Sequence, residues 1–268
     1  MYKMKLFLAG ILVFLVCFQM TAIARENEEQ GRKLKVLVVT GCEYEGHPWH
    51  QTAPHVGKIL NNCPEIEAKV EPNFNVLCTD EIFNYDVMFF NFKNYDPLAD
   101  DELAIANIEK FVRQGGGIVI LHFGIGIFEN HKDRVEKIIG PVYDPSLPPH
   151  DPYREFEVKI MDLKHPITKS MNNFTISDEL YTCLGASSEP IEILAVGDSQ
   201  VVKKAESLAH LHKYGQGYVF TTTLGHNLKS FESEGFVTLL RNAVLWLGHR
   251  EVPAEPAQVL PPAPPLPK

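Results

Sequence analysis

Several segments of this chain are apolar at nearly every position instead of every second one. "KVLVVTG" begins at Lys35, "DVMFFNF" follows at Asp86, and "GGGIVILHFGIG" occupies residues 115 to 126. A strand that leaves one face to water alternates; one without alternation has to be covered on both faces, as in a parallel sheet flanked by helices. Helical signals fall between these runs. Thr52 is placed to cap a helix with Pro54 in its first turn, where a missing N–H costs little. Ala104, Ile108, Phe111 and Val112 form one helical stripe, which Gly115 ends. "EAKVEP" reads as a further strand. From Glu155 the pattern changes: "EFEVKIMD" and "IEILAVGD" alternate, and "SLAHLHKYGQGYVFTTTLGH" reads as a hairpin turning at Tyr214-Gly215-Gln216-Gly217. A closing helix within 231–247 sets Phe236, Leu240, Val244 and Leu247 on one face. The expected fold is α/β: an open, mainly parallel sheet with helices on both faces and added antiparallel strands.

The ends read differently from this middle. Lys3 and Lys5 precede an apolar run from Leu6 to Phe18, and Ala22-Ile23-Ala24 offers a small-x-small cleavage site, so residues 1–24 are expected to be a secretory signal peptide. The run is shorter than the ~20 residues of a membrane span, and stable membrane insertion is not expected. A product cleaved after Ala24 is periplasmic or extracellular. Losing two lysines takes its formal charge from -9 to -11. That acidity disfavours nucleic acid and anionic membrane as partners. Residues 25–33 read as a polar tether, 34–250 as the folded domain, and 251–268, "EVPAEPAQVLPPAPPLPK", as a proline-rich extended tail in solvent. Cys42, Cys63, Cys78 and Cys183 fit no zinc spacing, and free thiols are favoured over a Cys63–Cys78 bridge.

In open α/β sheets ligands sit at the carboxyl ends of the strands. Four groups of polar residues fall at that edge. "GCEYEGHPWHQT" supplies Glu45, His47 and His50; the "GIVIL" strand ends at His122; "ISDELYT" supplies Asp178, Glu179 and Tyr181; "TTTLGHN" ends at His226. Each has a bland alternative, such as a packed loop corner at His50, a core imidazole at His122 or a turn cap at Asp178. Together, imidazoles and carboxylates from separate loops match either a nitrogen/oxygen metal site or a metal-free acid–base cluster. His210 and His212 share a face of one strand but precede the hairpin, far from "LGH", so a structural or surface role is expected. His131, His150 and His249 carry no partner signal.

"KVLVVTG…HPWHQTAP", "FVRQGGGIVILHFG", "DLKHPITKSMNNFTISDELYT" and "HKYGQGYVFTTTLGHN…LLRNAVLWL" resemble, in order and spacing, the trehalose-utilisation (ThuA-like) family over about residues 34–248. The resemblance implies a flavodoxin-like sheet related to class I glutamine amidotransferases, with His226 at the position of their catalytic histidine. No cysteine follows the "VILHFG" strand, so acyl-enzyme chemistry lacks its starting group. The family's association with sugar catabolism implies a carbohydrate substrate, such as a keto-sugar or 3-keto-glycoside. A carbonyl at C3 acidifies the proton at C2, so the expected reaction is proton abstraction of lyase or isomerase type. The expected catalytic residues are His122, Asp178, Glu179 and His226, and the expected substrate contacts are Glu45, His47, His50 and Tyr181. His122, Glu179 and His226 are the expected ligands of a divalent cation, zinc or similar. The alternatives are a non-catalytic carbohydrate-binding protein and an atypical hydrolase. The loop Cys42-Glu43-Tyr44-Glu45-Gly46, with Phe123 and Ile125, departs from the family pattern and leaves the substrate open.

Overall fold

The computed structural model describes residues 31–41, 46–95 and 97–267. The expected signal peptide, most of the polar tether, Cys42 and Glu45 lie outside the described residues. From Leu34 onward the chain is one compact unit.

Nine strands make one sheet: β1 (Leu34–Val39), β2 (Ile66–Glu71), β3 (Val87–Phe90), β4 (Gly117–Leu121), β5 (Arg154–Ile160), β6 (Phe174–Asp178), β7 (Ile191–Asp198), β8 (Ala205–Tyr214) and β9 (Gly217–Thr222). Their order is β2-β1-β3-β4-β9-β8-β7-β5-β6. The first five are mutually parallel and the remaining pairings are antiparallel. Because antiparallel neighbours reverse direction at each step, β6 points the same way as β9. Its carboxyl end, and the chain entering β5, therefore lie at the same edge as the ends of the parallel strands.

Helices α1 (Trp49–Asn61) and α4 (Glu234–Leu247) cover one face; α2 (Asp101–Arg113) and α3 (Lys132–Ile139) cover the other. The strand β1 shows why its apolar run is unbroken. Leu34, Val36 and Val38 pack into the first layer, Leu37 and Val39 into the second. Cys63 packs against the first layer and Cys78 against the second, so the sheet separates them; both are free, as is Cys183. The helix α2 has its expected stripe, capped by Asp100, whose carboxylate accepts from the Leu103 amide.

Four local expectations change. The strand β6 runs through a segment read as loop, and α3 was not anticipated, because eight residues carrying Val135, Ile138 and Ile139 make too short a periodic signal. Thr52 lies inside α1, which starts at Trp49, and its hydroxyl accepts from Asn91 Nδ2 at 2.9 Å instead of capping. Pro54 sits in the second turn of α1, where its missing N–H leaves the His50 carbonyl without its helical partner. The proline-rich tail supplies the replacement. Leu266 N–H donates to His50 O at 2.7 Å, Lys58 donates to Pro261 O at 2.8 Å, and Val252 and Ala257 are buried against the first layer. The tail is extended, as its prolines require, and most of its residues are exposed to solvent, but it is anchored to α1 and α4 at these points instead of running free.

Candidate functional site

Each functional side chain comes from a chain segment crossing the carboxyl edge. The strand β4 delivers His122 at its end in the left-handed region, φ 49°. A non-glycine residue there is uncommon and sits where surrounding structure forces it. The position corresponds to the sharp strand-to-helix elbow that presents a nucleophile in related architectures; here it presents an imidazole. The strand β9 ends in Thr223-Leu224-Gly225-His226, and Gly225, at φ 112°, makes the turn that only glycine takes readily. Asp178 and Glu179 end β6, His150 precedes β5, and His47 lies just before α1.

The convergence is tight. His47, His122, Glu179 and His226 each offer one donor atom, and the four atoms lie within 4.8 Å of one another. His226 Nδ1 is 3.2 Å from Glu179 Oε2 and 3.3 Å from His122 Nε2, which is itself 3.5 Å from Glu179 Oε2. Tyr181 Oη lies between His122 Nε2 and His47 Nε2, at 2.9 and 3.2 Å. His47, Glu179, Tyr181 and His226 line a cavity of about 280 Å³ with Lys93, Phe123, Tyr143 and His150, while His122 is fully buried behind them and does not line it.

Tautomers follow from the backbone. His122 Nδ1 is 2.7 Å from the Thr223 carbonyl, and His150 Nδ1 is 2.7 Å from the Asp151 carbonyl. A carbonyl only accepts, so both rings carry a proton on Nδ1 and, when neutral, turn an Nε2 lone pair inward. Those lone pairs face the two oxygens of one carboxylate: His122 faces Oε2, and His150 faces Oε1 at 3.6 Å. Acceptors aimed at acceptors leave the site short of positive charge, which a proton or a metal cation can supply. Three imidazole nitrogens and a carboxylate oxygen suit zinc-type coordination, and Nδ1–H to carbonyl is a usual outer support of a ligating histidine.

The titration behaviour points the same way. Burial raises the Glu179 carboxyl, but its pairing with the His122 and His226 rings outweighs that and holds the group well below the usual carboxylate range. Burial lowers His226, yet Glu179 and Asp178 more than compensate, so it stays protonated to higher pH. His47 is driven down to about 3 by burial and by the neighbouring His122 and His226, and is neutral. Burial pushes the Cys183 thiol up to about 12, so the one described cysteine at the cavity is no thiolate nucleophile.

The expected residues divide. His47, His122, Glu179, Tyr181 and His226 come together. Asp178 does not face the cavity: fully buried, it accepts from the backbone amides of Gly225 at 2.7 Å, Glu179 at 2.8 Å and His226 at 3.3 Å. It fixes the two neighbours that carry the site instead of touching a ligand. His50 falls in the first turn of α1 with its ring against Trp49, and does not line the cavity. His150 and Lys93 line it without having been expected to, although Lys93 follows the β3 strand and that position was a readable signal. His210 and His212 are structural but buried, not surface groups: His210 Nδ1 pairs with Ser207 Oγ, and His212 Nε2–H donates to the Lys137 carbonyl.

Fold and site together define a mixed α/β protein of the amidotransferase-like, flavodoxin type, with an imidazole at the elbow and a histidine–carboxylate cluster beside it. The family model for ThuA, trehalose utilisation, matches residues 35–247, and the chain belongs to that family. Among solved structures it is similar to a ThuA-like protein from Parabacteroides merdae ATCC 43184, at 19% identity and TM-score 0.71 over 88% of this chain and 95% of that one. A ThuA-like protein from Bacteroides uniformis ATCC 8492 follows at 16% identity and TM-score 0.66, covering 81% and 91%. A glutamine amidotransferase from Thermotoga maritima shares the fold at 10% identity and TM-score 0.52, covering 81% and 99%. No curated protein matches the sequence. Among the described residues no helix is long and apolar enough to cross a membrane.

Proposed function

We propose that this chain is an exported, metal-assisted enzyme that acts on a keto-sugar or 3-keto-glycoside by abstracting the proton beside the ketone. The observation that carries the reading is the meeting of His47, His122, Glu179 and His226 around one point, with imidazole nitrogens of His122 and His150 facing the two oxygens of Glu179. Those four residues hold the cation. Bound there, a divalent metal supplies a Lewis acid for the negative charge that develops on the ketone oxygen.

The chain's own groups do the rest. His150, with Nδ1–H fixed on a carbonyl and Nε2 open to the cavity, accepts the C2 proton, and Glu179 Oε1 stabilises the imidazolium that results. The C2–H electron pair moves into the C2–C3 bond. In elimination the charge returns from the C3 oxygen, the C1–C2 double bond forms and the C1–O pair leaves with its oxygen, which takes the proton from the His150 imidazolium; in isomerisation that proton goes to C3 while the C2 hydroxyl gives up its own and becomes the ketone. Tyr181 presents a phenol kept protonated by burial and by Glu179, a donor for a substrate oxygen. Asp178 positions Glu179 and His226. The signal peptide expected at residues 1–24 makes the substrate a sugar derivative met outside the cytoplasm.

The test is elemental analysis of purified protein, with turnover measured in parallel on 3-keto-glycosides and on the parent glycosides. One equivalent of a divalent metal and selective turnover of the keto substrates are expected, with Glu179→Gln and His226→Ala lowering both. Protein that carries no metal, takes up none on dialysis and turns over neither class would leave carbohydrate binding without chemistry.

A further inference from the structure

The cavity has two unlike walls. One is the histidine–carboxylate cluster. The other is Lys93, with Tyr95, Tyr143 and the Gly126 backbone. Lys93 Nζ lies 4.9 Å from the Tyr95 ring centre and 5.0 Å from that of Tyr143, with its side chain largely buried. Gly126 is required for this placement, since a Cβ there would lie 2.8 Å from Lys93 Cδ and 3.2 Å from Nζ. Lysine is seldom buried unless something calls for its charge.

Among the described residues, the ion-pair partner of this ammonium is Glu129 at 3.3 Å, a half-exposed side chain that does not line the cavity. An exposed partner at a rim is screened by water and contributes little. The ammonium has three N–H donors, and one carboxylate oxygen occupies one of them. A volume near 280 Å³ is at the small end of the ~300–1,000 Å³ usual for ligand pockets, enough for one sugar ring.

We propose that Lys93, held between Tyr95 and Tyr143, is a subsite for an anionic substituent, a carboxylate or a phosphate, on a single-ring sugar. The substrate class is then an acidic sugar derivative, oriented with its charge on Lys93 and its reacting carbons toward the histidine cluster. This rests on reading the cavity as a sugar site, and it adds a specificity that the cluster alone does not give.

Calorimetric titration of the full protein with glucuronate, glucose 6-phosphate and glucose tests it, using wild type, Lys93→Met, Lys93→Arg and Glu129→Gln. Wild type is expected to bind one or both charged sugars roughly 10- to 100-fold more tightly than glucose, the range for a hydrogen bond to a charged group. The better of the two identifies carboxylate or phosphate as the substituent. Lys93→Met should abolish that preference, leaving the charged sugars bound no more tightly than glucose by the same variant. Lys93→Arg should keep part of it, and Glu129→Gln should strengthen it. Equal binding of glucose, no binding of either charged sugar, or a preference that survives in Lys93→Met overturns the proposal. Charge preference with no metal and no turnover overturns the enzyme reading and leaves this subsite standing; turnover of neutral keto-glycosides without charge preference does the reverse.

Discussion

Two sets of buried histidines in this molecule show how little the residue type alone decides. His122 and His226 stand at the carboxyl edge, and His210 and His212 lie in the body of β8 on the face covered by α3. His122 and His210 are both fully buried. His122 has one nitrogen pinned by a carbonyl while the other faces a carboxylate, whereas His210 meets a serine hydroxyl and is influenced by a second imidazole, with no carboxylate acting on it among the described residues. Burial without a carboxylate lowers His210 to about 4, so it is a neutral core ring. Burial with Glu179 raises His226 instead. Between these two rings the carboxylate, not the burial, sets the direction in which the imidazole titrates.

The largest expected consequence is a division between activity and stability. His122→Ala should remove bound metal and lower 3-keto-glycoside turnover by ~10²–10⁴-fold or more, the range for loss of an essential acid–base or ligating group, with modest change in melting temperature. His210→Ala should keep metal and turnover per folded molecule but lower stability by ~1–3 kcal/mol through the cavity it leaves. Equal turnover losses in the two variants would erase the distinction.

Asp178→Ala should fall between them. Three backbone amides lose their acceptor, at a cost of ~2–4 kcal/mol in thermal or denaturant unfolding, and metal affinity should weaken by ~10–100-fold through misplacement of Glu179 and His226. Asp178→Asn, which keeps an acceptor oxygen, should recover much of the stability. A variant with native stability and no metal would return Asp178 to a direct role at the ligand.

Acid should discriminate the two sets next. An unfolded histidine takes its proton near pH 6.5, whereas folded His47 resists until about 3 and His210 until about 4. Between those limits the unfolded chain binds more protons, so stability falls as pH falls, by up to ~1.4 kcal/mol per pH unit for each such group. Metal-free protein should show both contributions in denaturation curves between pH 6.5 and 4. His210→Phe should make the curve shallower whether or not zinc is present, and zinc should affect only the part that depends on His47. A slope indifferent to His210→Phe would contradict its neutral state.

The smallest effect concerns the helix that follows His47. Leu266→Pro deletes one N–H while keeping the extended tail, and should cost ~1 kcal/mol in the unfolding free energy. Pro54→Ala offers the His50 carbonyl an N–H within its own helix, so the loss on Leu266→Pro should shrink in that background. Additive losses in the double variant would show that the tail does not substitute for the helical bond.

The sheet was legible in the sequence because apolar runs such as "KVLVVTG" and "GGGIVIL" leave no face for water, and that pattern alone demands two covering layers. His122, Glu179 and His226 were legible too, since each directly follows a strand or a glycine turn, and chain direction then carries them to one edge. Local sequence had no means of showing that His150 reaches Glu179: the contact depends on the chain reversing once between β5 and β6, which returns residues 150 and 179 to the same edge from opposite ends of the pair. His47 and His50 look alike in "HPWHQT", but the helix begins between them and its rotation carries His50 out of the cavity. Asp178 and Glu179 are adjacent carboxylates, and strand alternation sends one to the backbone of the Gly225 turn and the other to the histidines. The tail supplies the His50 carbonyl with the N–H that Pro54 lacks, a contact between residues 50 and 266 of the chain. Periodicity and turn chemistry act over a few residues and are written in the sequence; which lone pairs end up facing one another depends on chain reversals far apart in it, and only the folded molecule decides that.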